Sequence, residues 1–125
     1  MNQTVKSYQD LIVWQRAREL VKEVYQLTVK FPVGEKFGLV SQMNRAAVSI
    51  PSNIAEGYGR ATMQEYLHFL HISRGSAYEL ETQLILAGDL GLYGREDGEH
   101  VVGMLQEVVR LLQGLVSVLE RKTKK

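Results

Sequence analysis

A proline stands inside a stretch of helical periodicity, and this conflict limits what the chain can fold into. On both sides of Pro51 the apolar residues recur every three or four positions, as they do along one face of a helix. They are Leu39, Val40, Met43, Ala46, Ala47, Ile50 and Ile54. Pro51 removes the hydrogen bond to the carbonyl of Ala47 and crowds that group, which costs about 3 kcal/mol in a helix interior.

The neighbours of Pro51 indicate how the helix can continue. Ser49, Ser52 and Asn53 have short polar side chains that can bond the freed backbone groups. We therefore predict one helix that is kinked near Pro51 and ends at Gly57. In the alternative, a first helix stops near Ser49 and a second begins with Pro51 in its first turn, where proline is favoured.

Helical patterns cover the rest of the chain and are joined by short connections. The predicted helices span about 8–30, 35–57, 62–90 and 95–121. Thr62 and Glu65 have the spacing of a capping box at the start of the third helix. No strand pattern competes. Since short connections place consecutive helices side by side in opposite directions, we predict a single all-α domain over 1–125, an antiparallel up-down-up-down four-helix bundle.

Two of these helices carry surfaces that suit packing. In the third helix the small residues Ser73, Gly75, Ser76 and Ala77 predict the close approach of another helix. The fourth helix has an apolar arc wider than one core seam requires, with twelve aliphatic or methionine residues between 101 and 119. A subunit interface explains this arc, and so does a central position within the bundle.

Composition excludes several classes of function. With a formal net charge of +1, binding to nucleic acid must rest on a local patch rather than on a basic excess. The absence of cysteine excludes disulfides, thiolate metal sites and cysteine nucleophiles. No uninterrupted apolar run approaches the about 20 residues of a membrane span, and the polar residues 1–4 are not followed by the apolar region of a signal peptide. We therefore expect a cytoplasmic protein without a membrane partner.

The sharpest enzymatic hypothesis is a two-metal carboxylate site, because four-helix bundles build such sites from Glu-x-x-His pairs. Glu65 with His68, and Asp97 with His100, have this type of spacing. Both pairs begin consecutive antiparallel helices, so they would lie at opposite ends of the bundle. His68 and His71 alone would make a weak surface site. Without a catalytic, phosphate-loop or dinucleotide motif, we expect no enzyme, cofactor or metal, and a metal-binding bundle is the most distant alternative.

Basic and aromatic residues form the remaining candidate site, for nucleic acid. They are Arg16, Arg45, Arg60, Arg74 and Tyr58. Arginine suits phosphates and planar bases, and tyrosine offers a stacking face, which is the chemistry of single-stranded RNA binding. In the alternative, the cations pair with acids of the same helix or of another subunit, such as Glu19, Glu23, Glu56 and Glu79. We favour this pairing for Arg18 and Lys22.

Three segments, residues 8–17, 45–57 and 69–84, resemble a known family. It comprises the small four-helix-bundle proteins encoded within intervening sequences of 23S ribosomal RNA genes, with relatives among the accessory variability proteins of diversity-generating retroelements. The resemblance implies a homopentameric barrel of bundles without known catalysis. For the retroelement relatives it also implies binding of nucleic acid and a reverse transcriptase.

Two hypotheses about function follow from these features. In the first, the protein is an oligomeric scaffold that binds RNA or a nucleoprotein partner. In the second, it is a structural or protein-partner module that binds no nucleic acid. The retroelement relatives are strongly basic and this chain is not, so assembly is a firmer expectation than RNA binding.

Overall fold

Four long α-helices account for most of the computed structural model, which describes residues 4–123 apart from the side chain of Lys36. They are α1 (Ile12–Thr28), α2 (Ser41–Tyr58), α3 (Met63–Asp89) and α4 (Arg95–Thr123). A short 3₁₀ helix (Tyr8–Asp10) precedes α1. The described range contains no strand. The prediction of an all-α four-helix bundle is therefore confirmed.

Each helix packs against the next one along the chain, and α4 also packs against α1. Between α2 and α3, the hydroxyls of Ser49 and Ser76 lie 2.8 Å apart, and Gly57 further along α2 contacts Phe69 earlier on α3. Residue numbers thus rise along α2 while those of the contacting residues fall along α3. The same holds for α1 and α4 through the pairs Arg16–Glu107 and Glu23–His100. Both orders are those of antiparallel neighbours.

Helix α2 runs through Pro51 without a break, so the alternative with two helices separated at this residue is wrong. Nδ2 of Asn53 donates to the carbonyl of Ser49 at 2.8 Å and to its hydroxyl at 2.9 Å. These contacts are local, but they involve Ser49 and not the carbonyl of Ala47 that Pro51 frees, so the predicted bond to the freed backbone group is not formed within residues 4–123. The kink at Pro51 stays a prediction.

Two helices begin later than the periodicity predicts. Ser7 caps the 3₁₀ helix, and the extended backbone of Leu11, with ψ of 126°, separates that helix from α1. Before α2 the chain forms a 3₁₀ helix (Val33–Glu35) and a π-helix (Lys36–Val40). Gly38 has non-helical angles of φ −102° and ψ −110°, which prevents a regular α-helix from starting at 35.

The two ends of α3 have different caps. The hydroxyl of Thr62 accepts a bond from the amide of Glu65 at 3.1 Å, but within residues 4–123 the Thr62 amide makes no bond to the Glu65 carboxylate, so half of the predicted capping box forms. At the other end Gly91 has φ of 69°, and the amide of Leu92 donates to the carbonyl of Ala87 at 3.0 Å. This is a Schellman motif, which glycine favours.

Tyr93 fixes the turn between α3 and α4. Its hydroxyl donates to the carbonyl of Leu84 at 2.6 Å, and its ring contacts Gly88 and Gly98, where a Cβ atom would collide with it. Burial raises the pKa of Tyr93 above its ordinary value, and the carboxylate of Asp89 adds to the rise. The neutral phenol is therefore the form that suits this turn.

The core uses one inward stripe from each helix. Its largest fully buried side chains are Leu20, Met43, Ile50, Ile54, Leu70, Leu80, Leu84, Leu105 and Leu112. On α4, most of the wide apolar arc is buried or half-buried against this core, and Val118 is 39% exposed. Packing within one chain thus accounts for most of the α4 arc, as the alternative of a central helix predicts.

By length and composition alone, α4 could cross a membrane. In this fold it is a core helix, because Leu105, Val108 and Leu112 are fully buried among the other helices. Its Glu107 also forms an ion pair with Arg16 of α1, at 3.7 Å. Since core helices of bundles pass the same test, the apolar character of α4 is explained by packing.

Several exposed apolar side chains lie on α3, while others, such as Val29 and Val33, lie elsewhere in the chain. Ile72, Tyr78, Ile85 and Leu86 project from the side of α3 that is turned away from the core, and we name them the α3 outer face. Ile85 is 59% exposed. The same side of α3 also carries the exposed carboxylate of Glu79, seven residues from both Ile72 and Leu86, so this face is a partly apolar candidate surface for a further packing partner.

Close approach of α2 and α3 occurs at Gly57. A Cβ atom on Gly57 would lie 2.8 Å from Cβ of Phe69 and 3.1 Å from the carbonyl oxygen of Tyr66. Gly75, which we expected at a helix contact, has open space around it. That expectation is wrong for Gly75, although the neighbouring serines do contact α2.

Candidate nucleic-acid interface

Arg16 lies between α1 and α4 and is engaged with acids. Its guanidinium is 3.3 Å from the carboxylate of Glu19 and 3.7 Å from that of Glu107. All three side chains are about half exposed, so these contacts contribute little to stability. They do reduce the positive charge that Arg16 offers to an anion.

Arg60 and Tyr58 lie near the turn between α2 and α3. The guanidinium of Arg60 bonds Glu56 at 2.7 Å and lies over the ring of Phe69, 4.6 Å from its centroid. The ring of Tyr58 meets that of Tyr66 edge to face at 6.0 Å. Burial, and secondly the neighbouring Tyr58, raise the pKa of Tyr66. Packing therefore holds both predicted residues at one end of the bundle.

Arg45 and Arg74 point to different sides of the bundle. Ser76 faces α2 through its bond to Ser49, and Arg74 stands two positions earlier, about 200° away around the helix. Arg74 thus points away from α2, which carries Arg45. Neither arginine forms an ion pair within residues 4–123, so the expected pairing with Glu79 is absent there. In the described range, no contact joins any two of the five predicted residues.

A groove between α1 and α2 offers a more coherent site. It has a volume of about 360 Å³ and a mainly apolar lining. We name it the α1–α2 groove, and it is lined by Tyr8, Trp14, Arg18, Val21, Val48, Pro51, Ser52 and Ala55. The α2 residues of the groove recur at a spacing of three and four, on the side of the helix next to its core stripe. The same segment of α2 therefore forms both the core stripe and one wall of the groove.

The α1 side of the groove combines two rings and a cation. Tyr8 and Trp14 meet at 5.2 Å between ring centroids, with their planes 69° apart. The guanidinium of Arg18 lies over Trp14 at 5.7 Å from the ring centroid. The 3₁₀ helix places Tyr8, because Ser7 caps this helix and Asp10 accepts the amide of Ser7 at 3.3 Å.

Cations without acidic partners flank the groove. Trp14, Arg18 and Lys22 follow one another at four-residue spacing along α1. Arg45 stands seven residues, or about two turns, before the groove residue Ser52 and therefore shares its side of α2. In the part of the chain that the structure describes, Arg18, Lys22 and Arg45 form no ion pair. The expected pairing of Arg18 and Lys22 with acids is thus absent there.

Two further clefts adjoin the groove, one at each end. One is lined by Trp14, Arg18 and Lys22 together with neighbouring polar residues of α1. The other is lined by Tyr8, Ser52 and Arg60 together with residues of the α2 end. A path of shared residues therefore runs along the groove, and Arg60 lies at one end of it.

Sequence patterns gave little warning of this groove. Trp14 belongs to an apolar stripe, which is typical of core residues, and Arg18 and Lys22 were assigned to ion pairs. The available signal was the row of Trp14, Arg18 and Lys22, which places an aromatic ring and two cations on one line of a helix. What the sequence could not indicate is that Val48 and Ala55 of α2 complete the other wall.

A cleft between α1 and α4 has a mixed charge. Glu23 lies 3.2 Å from Nε2 of His100, and Lys30 lies 3.6 Å from Asp97. Within residues 4–123, no three acidic or histidine side chains are arranged to hold a metal ion. The α1–α2 groove is therefore the better candidate for binding.

Comparison with known proteins places the chain in a family. A family model described as 23S rRNA-intervening sequence protein matches residues 9–114. The fold is similar to that of a protein of unknown function from the S23 ribosomal protein family of Bacteroides thetaiotaomicron VPI-5482. The TM-score is 0.76 at 23% identity, covering 84% of this chain and 98% of that chain. No curated protein matches the sequence. Since the family model covers most of the chain, this protein belongs to the 23S rRNA-intervening sequence protein family.

Proposed function

We propose that the protein is a non-enzymatic scaffold that self-associates and binds RNA through the α1–α2 groove. The observation that carries RNA binding is the set of cations beside an aromatic groove, Arg18, Lys22 and Arg45, none of which forms an ion pair in the described residues. Free cations attract phosphates, and the rings offer faces to bases. A local arrangement of this kind is what a chain with a net charge of +1 requires.

The comparisons give the family and assign it no function. The matched family is named for intervening sequences of 23S ribosomal RNA, and the Bacteroides protein of the S23 ribosomal protein family has unknown function, so RNA binding is our own inference from the groove. The resemblance to the accessory variability proteins of retroelements points in the same direction, because those relatives bind nucleic acid. We place the protein in the cytoplasm, where RNA and nucleoprotein partners are present.

A salt series tests RNA binding. The probe is a fluorescently labelled single-stranded RNA of about 10 nucleotides, within the site sizes of known single-strand binders. If phosphates are neutralised, the logarithm of the affinity falls linearly with the logarithm of the salt concentration. The triple variant Arg18→Gln, Lys22→Gln and Arg45→Gln should reduce that slope by about 2.

A matched control separates the groove from net charge. Arg74→Gln, Arg110→Gln and Arg121→Gln remove the same charge from residues that do not line the groove and form no ion pair in the described range. This control should keep most of the affinity. Equal losses in both triple variants would refute the groove as the site, and no RNA binding at low salt would refute the function.

Self-association rests on the α3 outer face. Exposed apolar patches of soluble proteins commonly mark interfaces with other proteins, and the resemblance implies a homopentamer. The double variant Ile85→Glu and Leu86→Glu should lower the mass measured by light scattering to that of one chain. Ile12→Glu with Val29→Glu, also exposed aliphatic residues, is the control and should leave the mass unchanged. A monomeric wild-type protein would overturn this part of the proposal.

The apolar lining of the groove favours one alternative, a module that binds a partner protein. Val21, Val48 and Ala55 would suit an apolar side chain. Such an interface responds weakly to salt, whereas phosphate contacts respond strongly. The salt series described above therefore separates the two functions.

A further inference from the structure

We propose that the α1–α2 groove receives an unpaired nucleobase, so that the protein selects single strands over duplexes. This inference rests on the proposed function and adds the class of nucleic acid. Phosphate binding alone requires cations, and it leaves the apolar lining of the groove unexplained. Val48, Pro51 and Ala55 form a wall that would repel a phosphate and accept the face of a base.

The two rings make a corner that fits a flat guest. Because the planes of Tyr8 and Trp14 are 69° apart, a base stacked on one ring directs its edge toward the other. The guanidinium of Arg18 already lies over Trp14, and this planar group also stacks on bases. Ser52, on the α2 wall, supplies a hydroxyl that can bond a base edge.

A duplex cannot use this corner. Its bases are paired and stacked inside the helix, so an A-form duplex offers mainly phosphates and 2′-hydroxyls to a protein. A single strand can turn one base into the groove while neighbouring phosphates meet Lys22 and Arg45 on the rim. The groove thereby distinguishes a single-stranded RNA from a duplex RNA that carries the same charge.

Charge favours nucleic acid over a second copy of this chain as the occupant. Among the acids near the groove, Glu56 pairs with Arg60 and Glu19 pairs with Arg16, whereas Asp10 accepts backbone amides only and sets one negative charge against Arg18, Lys22 and Arg45. The rim thus keeps a positive excess. The α3 outer face, which we propose for self-association, carries one exposed carboxylate, Glu79, seven residues from both Ile72 and Leu86, whereas every nucleotide of a single strand brings a phosphate.

The only tryptophan of the chain, Trp14, makes the inference directly measurable. A base that stacks in the corner should quench its fluorescence as the RNA is titrated. The three probes are a single-stranded RNA of about 10 nucleotides, its duplex, and the same strand with abasic sites, which keeps the phosphates. We expect quenching with the first probe alone, and binding of the single strand to be about 5- to 150-fold tighter than binding of the abasic strand.

Variants test the aromatic corner itself. Tyr8→Ala should weaken single-strand binding by about 5- to 150-fold and leave the weaker duplex binding unchanged. Tyr25→Ala, which removes an exposed tyrosine of α1 that does not line the groove, is the control and should bind like the wild type. Trp14→Phe keeps a ring in place of the indole, and circular dichroism shows that each variant is folded.

The outcomes separate this inference from the proposed function. Equal affinity for all three probes, or RNA binding without any change in Trp14 fluorescence, overturns the base site and leaves RNA binding intact. A fall in Trp14 fluorescence per chain as the protein concentration rises, without RNA, shows that a second copy occupies the groove. This result also overturns the inference. If no probe binds, the proposed function itself fails.

Discussion

The contact at Gly57 yields a prediction about stability whose sign is set by geometry. In general, replacing glycine by alanine inside a helix stabilises it by about 0.5–1 kcal/mol. At Gly75 the new methyl group meets open space, so Gly75→Ala should give this gain. At Gly57 the methyl group would lie 2.8 Å from Cβ of Phe69. That atom is close to the backbone and cannot swing away, so α2 and α3 must separate.

Overpacking of this kind costs about 1–3 kcal/mol. The propensity gain at Gly57 is small because this residue is next to Tyr58, the last residue of α2. The two variants should therefore differ by about 1.5–4 kcal/mol in the free energy of unfolding. At about 4 °C per kcal/mol for a chain of this length, their melting temperatures should differ by about 6–16 °C.

Circular dichroism melts at one fixed protein concentration measure this difference, since association also shifts the melting temperature. Urea unfolding gives the same comparison through the midpoint, and an unchanged m-value shows that the compactness of both states is preserved. If Gly57→Ala melts at the same temperature as Gly75→Ala or above it, the close approach of α2 and α3 is refuted.

Three further predictions concern single side chains. Because the pKa of Tyr93 is raised in the folded state, its stabilising contribution is complete below pH about 10 and is lost as pH rises through the folded-state pKa; alkaline melts should show a shallower decline for Tyr93→Phe than for the wild type. Thr62→Ala removes the cap of α3 and should cost about 1 kcal/mol in urea unfolding, and an unchanged midpoint would contradict the cap. Oε1 of Gln83 is buried without a hydrogen-bond partner in the described residues, so Gln83→Met should raise the melting temperature, and a fall would show that the oxygen is satisfied.

Periodicity predicted the four helices because each one buries a single continuous stripe, and burial of that stripe largely decides the fold. It failed at residues 33–40, where 3₁₀ and π turns follow one another and Gly38 leaves helical geometry. On α4 the sequence showed the width of the apolar arc, whereas the degree of burial depends on neighbouring helices.

The candidate site was harder to predict than the fold. Whether a surface arginine finds an acid depends on the tertiary structure: Arg16 meets Glu107, which is distant in sequence, while Arg18 meets the ring of Trp14. The groove itself joins two helices, and a pattern within either helix describes one wall only. A sequence pattern therefore identifies candidate cations, and the packing of helices decides which of them stay free.

The proline that made the second helix difficult to predict belongs to the surface that we propose as functional. Ala47, Ile50 and Ile54 of α2 are fully buried, so the core stripe passes beside Pro51 rather than through it. Pro51 itself lines the groove, where its ring adds flat apolar area. Helix α2 has one face in the core and one face in the groove, and Pro51 lies on the groove face. This position explains how the apolar periodicity of the core face continues past Pro51.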